Sequence, residues 1–287
     1  MTETERPDQP DSEQMAMPNG TVTYAVDGAV ARVTMARPEV ANALDAAMIN
    51  DLDSALVLAE ADPGVRVIIL SGQGKHFCSG HDLSELMAGE EHWAAMRDTP
   101  EGKLEHETTM YLEPCLRWRN TDKITIAAVQ GACAAAGLML ACMCDLIVAS
   151  EDARFSNPVL RMSGAGVELL VEPWELGARR AKEFLLCARK LSAAEAEQAG
   201  MVNRVVPGDD LSTAAHAMAA EVALVPPVTA AAVKGTINFT LDRAGQSDSW
   251  QHHFMVHQFV SATDTATSLA DKRSAGGMDG VKREQGS

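Results

Sequence analysis

The chain has 287 residues and a formal net charge of −16, with 46% hydrophobic and 22% charged residues. This is ordinary globular composition, with enough length for one large domain or one domain plus a smaller appendage. The acidic balance argues against a nucleic-acid or anionic-membrane partner, since both need a basic surface, and the lack of eighteen consecutive apolar residues argues against a membrane span.

Residues 1–18 are polar, acidic and Pro-containing. They read as a disordered tail without the basic-then-apolar pattern of a secretory leader. A folded core is expected over 19–207 and a helical region over 208–287. Two β-rich stretches flank Asp27-Gly28, a short-range hairpin signal. Asp45 reads as the N-cap of a helix whose Met48, Ile49, Leu52, Ala55, Leu56 and Ala59 share one face, stopped by Asp62-Pro63-Gly64. Residues 67–70 are all apolar, as in a strand buried on both faces.

SGQGKHFCSGHDL (71–83) is a Gly-rich loop leading into a short helix from near Asp82, and 89–103 is irregular. Residues 104–118 read as a helix and 124–129 as a second buried strand. The small-residue turn QGACAAAG, an apolar helix over LMLACMC and a third strand at 145–149 follow. Strands alternating with helices predict an α/β fold with mostly parallel pairing. Beyond 172 the pattern turns helical, with a last strand at 201–206 and helices over 211–224, 228–242 and 247–271. The final 14 residues are expected to fray.

The six cysteines form no C-x-x-C pair and sit mostly in apolar runs, as reduced buried thiols of a cytoplasmic protein do. Gly72-Gln73-Gly74-Lys75 is too short for a P-loop, and Gly164-Ala165-Gly166 lacks the third glycine of a dinucleotide fingerprint. No G-x-S-x-G elbow occurs. His252, His253 and His257 put two imidazoles at i, i+4, but without the H-E-x-x-H carboxylate they read as a helix face, and no metal is expected.

Two small-residue turns carry the chemistry: 77–83, FCSGHDL, and 131–137, GACAAAG. Each follows a strand and ends at a helix N-terminus with unpaired amides, where ligands of parallel α/β folds bind. Facing each other, they would offer two N–H groups to one oxygen, each worth about 3 kcal/mol at a transition state. Taken singly, either turn is equally a place where small residues let helix and sheet approach.

The runs VTMARPEVANALD (33–45), VIILSGQGKHFCSGHDLSEL (67–86), IAAVQGACAAAGLMLACMCDLIVAS (126–149), EDARFSNPV and ELGARRAKEFLLCARKLSAAEAEQAGMVNRVVP together resemble the crotonase superfamily of enoyl-CoA hydratases and isomerases. Phe259, Asp264 and Lys272-Arg273 extend the resemblance, which spans about 20–275. It implies a spiral of ββα units with a helical C-terminal region that packs homotrimers, often paired as hexamers. It also implies an acyl-CoA substrate, with coenzyme A entering as part of that substrate and no permanently bound cofactor. By position, the amides of His81 and Ala136 form an oxyanion hole, and Val40, Ala41, Asn42, Ser79, Gly80, His81, Asp82 and Leu83 match segments that contact coenzyme A. Lys272 matches a cation that meets its phosphates.

The chain departs from the family at its two catalytic glutamates. Met139 stands three residues after the second loop and Val159 follows Pro158, so neither position transfers a proton; Ala135, Met139, Pro158 and Val159 are the pocket positions. Glu168 and the His81 imidazole are the candidate replacements, and Arg161 is a cation for an acidic acyl group. Glu172 and Glu175 lie nearby, with Glu175 reading as a first-turn residue of a helix that Pro173 begins. Three functions stay open. One is an enoyl-CoA hydratase-like enzyme with relocated acid/base groups. Another is an acyl-CoA hydrolase, C–C lyase or decarboxylase on the same fold. The third is a non-catalytic acyl-CoA-binding protein.

Overall fold

The computed structural model describes residues 14–83, 99–162, 166–266 and 268–269. Its main sheet is built first from β1 (Met15–Ala16), β2 (Val22–Asp27) and β3 (Val30–Met35), paired antiparallel in that order. The hairpin between β2 and β3 pairs Asp27 with Val30, so the two-residue loop is Gly28-Ala29, with Gly28 at φ +56°. The tail expected over 1–18 ends earlier: Met15 pairs with Tyr24 and Met17 is buried, because β2 has a free edge to be covered.

Helix α1 (Ala46–Ala61) follows, and its Met48 N–H donates to the Asp45 side chain as its sequence requires. Strand β4 (Val67–Gly72) then runs parallel to β3. Its four apolar residues split two ways. Ile68 and Leu70 join the core that contains Met48, Leu52 and Leu56 of α1, while Val67 and Ile69 join a second core on the other face. Burial on both faces is why this strand shows no apolar–polar alternation.

The helix expected at 104–118 spans α2 (Pro100–Glu107), a π-helical turn (Thr108–Leu112) and α3 (Glu113–Asn120). Pro114 has no N–H to continue an α ladder, which accounts for the local change of register. Strand β5 (Ile124–Val129) pairs parallel to β4. A short strand β6 (Ala132–Ala134) leads into α4 (Ala136–Cys142), and β7 (Leu146–Ser150) returns beside β5.

Strand β8 (Arg154–Ser156), helices α5 (Glu172–Leu176) and α6 (Ala178–Leu186), strand β9 (Lys190–Ser192) and helix α7 (Ala193–Ala199) come next. Ser192 and Glu195 close a reciprocal capping box on α7. The large sheet ends with β10 (Arg204–Val206), giving the order β1-β2-β3-β4-β5-β7-β10, and β6-β8-β9 form a second, three-stranded sheet.

Helix α8 (Leu211–Ala223) covers the second face of the main sheet through Leu211, Ala215, Met218 and Ala219. Helices α9 (Pro227–Arg243) and α10 (Gln246–Ser261) complete a mixed α/β fold. The helix expected over 247–271 breaks after 261. Among the described residues no single helix is long and apolar enough to cross a bilayer; α8 with its preceding turn and α9 pass together only as a pair bent by 104°. The final residues expected to fray lie outside the described residues, as do 89–98 of the stretch expected to be irregular, while its 100–103 form the first turn of α2, capped by the Thr99 side chain.

Candidate active site

The two small-residue turns meet. Phe77 N–H donates to Gln130 O at 2.8 Å, Cys78 N–H to Ala132 O at 3.1 Å, and Ala134 N–H back to Cys78 O at 2.9 Å. These bonds stitch the 77–83 turn to β6. A Cβ placed on Gly80 would sit 2.9 Å from Ala135 Cβ and 3.4 Å from Ala136 N, so only glycine allows this approach, and its φ of +102° suits glycine as well. Ala135 is held at φ +51°, ψ −120° while its N–H donates to Ser156 O at 2.9 Å. A non-glycine residue there is strained by on the order of 1–3 kcal/mol. The effect is to begin α4 at Ala136 with its first N–H outside the helix ladder.

The His81 amide is equally free. Leu44 N–H donates to Gly80 O at 2.8 Å and Asp82 N–H donates to Leu44 O at 2.9 Å, a parallel bridge in which the N–H of His81 itself points away from Leu44. Among the described residues neither His81 N–H nor Ala136 N–H has a protein acceptor.

The segment 40–42 packs on the same turn. Ser79 N–H donates to Ala41 O at 3.1 Å. Ala41 and Asn42 both take positive φ, at 55° and 52°. The Asn42 side chain is fully buried; its oxygen accepts from Arg37 N–H at 3.0 Å and its amide donates to Gln73 O and His76 O at 3.0 and 2.8 Å. The side chain thus ties the 37–42 segment to the loop that precedes the first turn. Asp82 is likewise committed, to Arg37 at 3.0 Å, and Arg37 also holds Asp45 at 2.8 Å. Val40 is exposed and Leu83 half-buried. Lys272 lies outside the described residues.

Glu168 is brought to His81. Its Oε2 lies 3.2 Å from His81 Nε2, and the carboxylate is buried. Burial would raise its pKa, but the His81 imidazole, the hydrogen bond to it and the nearby His257 outweigh that and hold it down at about 2. The remaining ring nitrogen of His81, Nδ1, is buried without a partner among the described residues. Tyr111 stacks on the ring at 4.1 Å between centroids. His81 and Met139 line one small apolar cavity of about 30 Å³ with Leu44, Tyr111, Trp118 and Leu140; Glu168 is not among its lining residues. Met139 is buried, its sulfur accepting from Leu169 N–H at 3.3 Å, and Val159 is half-buried in a short 3₁₀ turn. Pro158 precedes that turn and is half-buried. Arg161 donates to Cys187 O at 3.0 Å.

Behind Glu168 stands Glu107, which the sequence did not single out. Glu107, at the end of α2, accepts from His257 Nε2 at 2.8 Å and from the Gln258 amide, with Lys103 Nζ at 3.6 Å. Glu107, Glu168 and His257 each bring a potential ligand atom to within 4.8 Å of the others. Lys103, His257 and the Gln258 amide serve Glu107 while His81 serves Glu168, so both carboxylates have protein partners. The i, i+4 pair expected on the helix face is divided instead: His253 Nε2 donates to Val167 O at 2.8 Å while His257 serves Glu107.

Glu172 and Glu175 lie elsewhere. Glu172 is buried, with Asn157 Nδ2 donating to it at 2.7 Å, and burial pushes its pKa up. Glu175 stands in the first turn of α5 as expected, and burial and the neighbouring Glu172 raise it to about 7. It lines a groove of about 590 Å³ between α9, α10 and the strand ends.

The family model for enoyl-CoA hydratase/isomerase matches residues 25–275. EchA13 of Mycobacterium tuberculosis, which bears a provisional enoyl-CoA hydratase name, is 41% identical over 249 residues, covering 82% of this chain and 78% of its own. The crystal structure of a probable enoyl-CoA hydratase from Mycobacterium smegmatis superposes with a TM-score of 0.79 at 42% identity, over 86% of this chain and 97% of that one. An enoyl-CoA hydratase/isomerase from Xanthobacter autotrophicus Py2 gives a TM-score of 0.83 at 30% identity, over 92% and 97%.

Proposed function

The chain belongs to the enoyl-CoA hydratase/isomerase family, and on that footing we propose that it binds an acyl-CoA thioester and stabilises its enolate between the amides of His81 and Ala136. The observation that carries this reading is the pair of unspent N–H groups on two turns packed within a Cβ contact of each other at Gly80. Preorganised donors need no reorientation as charge builds on the thioester oxygen.

His81 is the group that moves the proton. An ionised Glu168 accepts the Nε2–H of the imidazole, which fixes the tautomer and leaves Nδ1 with a bare lone pair. Glu168 is bonded to His81 and is not among the residues lining the cavity beside that ring, so it acts through His81. The base takes a proton from the carbon next to the thioester carbonyl, and the electron pair moves onto the oxygen held by the two amides. Water addition to an enoyl group, C–C cleavage and decarboxylation place an enolate oxygen between the same two amides, and hydrolysis places a tetrahedral oxyanion there; the Met139 and Val159 positions favour a reaction other than simple hydration. Coenzyme A lies along 40–42 and 79–83, with Lys272 meeting its phosphates.

Val228, Val233, Ile237, Phe239 and Phe259 are exposed large apolar residues on α9 and α10, which supports a homotrimer or a pair of trimers. Phe254 does not contribute to that surface, being buried and stacked on His257. The test is a mass-spectrometric screen against a panel of acyl-CoA thioesters that reads both binding and turnover. Failure to bind any member overturns the proposal; binding without turnover of any selects the non-catalytic reading.

A further inference from the structure

Helix α10 reaches the His81–Glu168 pair with two imidazoles one turn apart. His253 Nε2 holds the backbone at Val167 O, and its ring lies 3.1 Å from where a Cβ on Gly166 would stand, so the 166–168 segment is drawn tight against the helix. His257 is seated on Glu107, 150 residues away in sequence, and lies against Glu168. We propose that His253 and His257 are positioning residues for the acid/base pair: His253 fixes the backbone that carries Glu168, and His257, hydrogen-bonded to Glu107, stands against the Glu168 carboxylate and favours its ionised form so that it holds His81 in one tautomer. This rests on the reading of His81 as the proton-moving group.

The groups that face Glu168 are His81 from the 77–83 turn, Cys115 from α3, and His253 and His257 from α10. Those that face His257 are Glu107 and Lys103 from α2, Glu168, and His253. Burial pushes the His257 imidazole down, yet Glu107 and Glu168 outweigh it and leave it above the ordinary value. Burial leaves His253 below the ordinary value, consistent with a neutral ring that only donates to a carbonyl. One imidazole is therefore electrostatic and the other a clamp. The arrangement ties the C-terminal helices, otherwise remote from the thioester, to the reacting groups.

The experiment is an NMR titration of the His257 imidazole in the full-length protein, in the wild type, Glu168→Gln and Glu107→Gln, all of which keep the side-chain shape. Because coupling is reciprocal, the amount by which Glu168 raises His257 equals the amount by which His257 holds Glu168 ionised. Both variants are expected to lower the His257 midpoint, by on the order of one unit each. An unmoved midpoint in folded Glu168→Gln overturns the proposal, as does one in Glu107→Gln. The titration needs no substrate, so its failure leaves acyl-CoA binding standing, and a failed acyl-CoA screen leaves the coupling standing. With a turned-over thioester in hand, His257→Gln is expected to lower kcat at least tenfold with KM unchanged, and unchanged kcat overturns the positioning role.

Discussion

Glu168 Oε2 lies 3.2 Å from His81 Nε2, joining a buried carboxylate from the segment after β8 to an imidazole on the turn after β4. Met139 packs against the same segment, its sulfur taking the N–H of Leu169, next to Glu168. On the proposed reading the proton-transferring group is His81, on the turn after β4, while Met139 and Val159 fill the positions where the resemblance implies glutamates.

Crotonyl-CoA hydration is expected to be very slow. Met139 and Val159 transfer no proton, and each acid/base group contributes about 10²- to 10⁴-fold. On the true substrate, Glu168→Gln is expected to lower kcat by about 10²-fold or more with KM little changed, since the amide no longer holds the His81 tautomer. Stopped-flow and steady-state assays read both. Rapid crotonyl-CoA hydration by the wild type would show that the lost glutamates do not matter.

Gly80→Val is expected to abolish acyl-CoA binding. The new Cβ would fall 2.9 Å from Ala135 Cβ and 3.2 Å from Ala134 O, and φ of +102° is closed to valine. The two turns must separate, taking the His81 and Ala136 amides apart. Calorimetric affinity beside a circular-dichroism check of folding decides it: a folded variant with wild-type affinity removes this turn from the site.

Ala135→Gly is expected to stabilise the protein. The wild-type backbone at φ +51°, ψ −120° strains alanine, whereas glycine adopts it freely. The relief exceeds the extra entropy of the unfolded glycine, giving a net gain of about 1 kcal/mol. A lower Tm in thermal unfolding would mean that the Ala135 methyl contact across to Gly80 matters more than the strain.

Local signals made α1, β4 and β5 readable, since an N-cap, a helical stripe and short apolar runs depend on neighbouring residues only. The β6-β8-β9 sheet was not readable: each strand has three residues, too few for a periodicity, and its pairing is tertiary. The two turns were legible as small-residue runs, but the reason they meet was not. Backbone bonds from Cys78 to Ala132 and from Ala134 back to Cys78 hold them, and pairing between distant backbone segments leaves no side-chain pattern. Glu168 was legible only as the carboxylate nearest the emptied position. Its bond to His81 spans 87 residues and the Glu107–His257 bond spans 150, and no sequence period reports either.

Glu175→Gln is expected to stabilise the protein at neutral and alkaline pH and to change little in acid. The folded-state pKa of Glu175 is raised to about 7 by burial and by Glu172, against about 4.3 in the unfolded chain. Below the unfolded value both states carry the proton and the group is neutral to stability. As pH rises from there through the folded value, the unfolded chain releases its proton first, so stability falls; above about 7 the whole deficit is present. A glutamine cannot ionise and escapes that loss, a gain of order 1–3 kcal/mol above pH ~7.5. Thermal unfolding of both proteins between pH 4.5 and 8.5 should show Tm curves that coincide at the acid end and diverge upward with pH. Parallel curves across the range would mean that Glu175 ionises freely, and would put solvent or a cation in the groove beside α9 and α10.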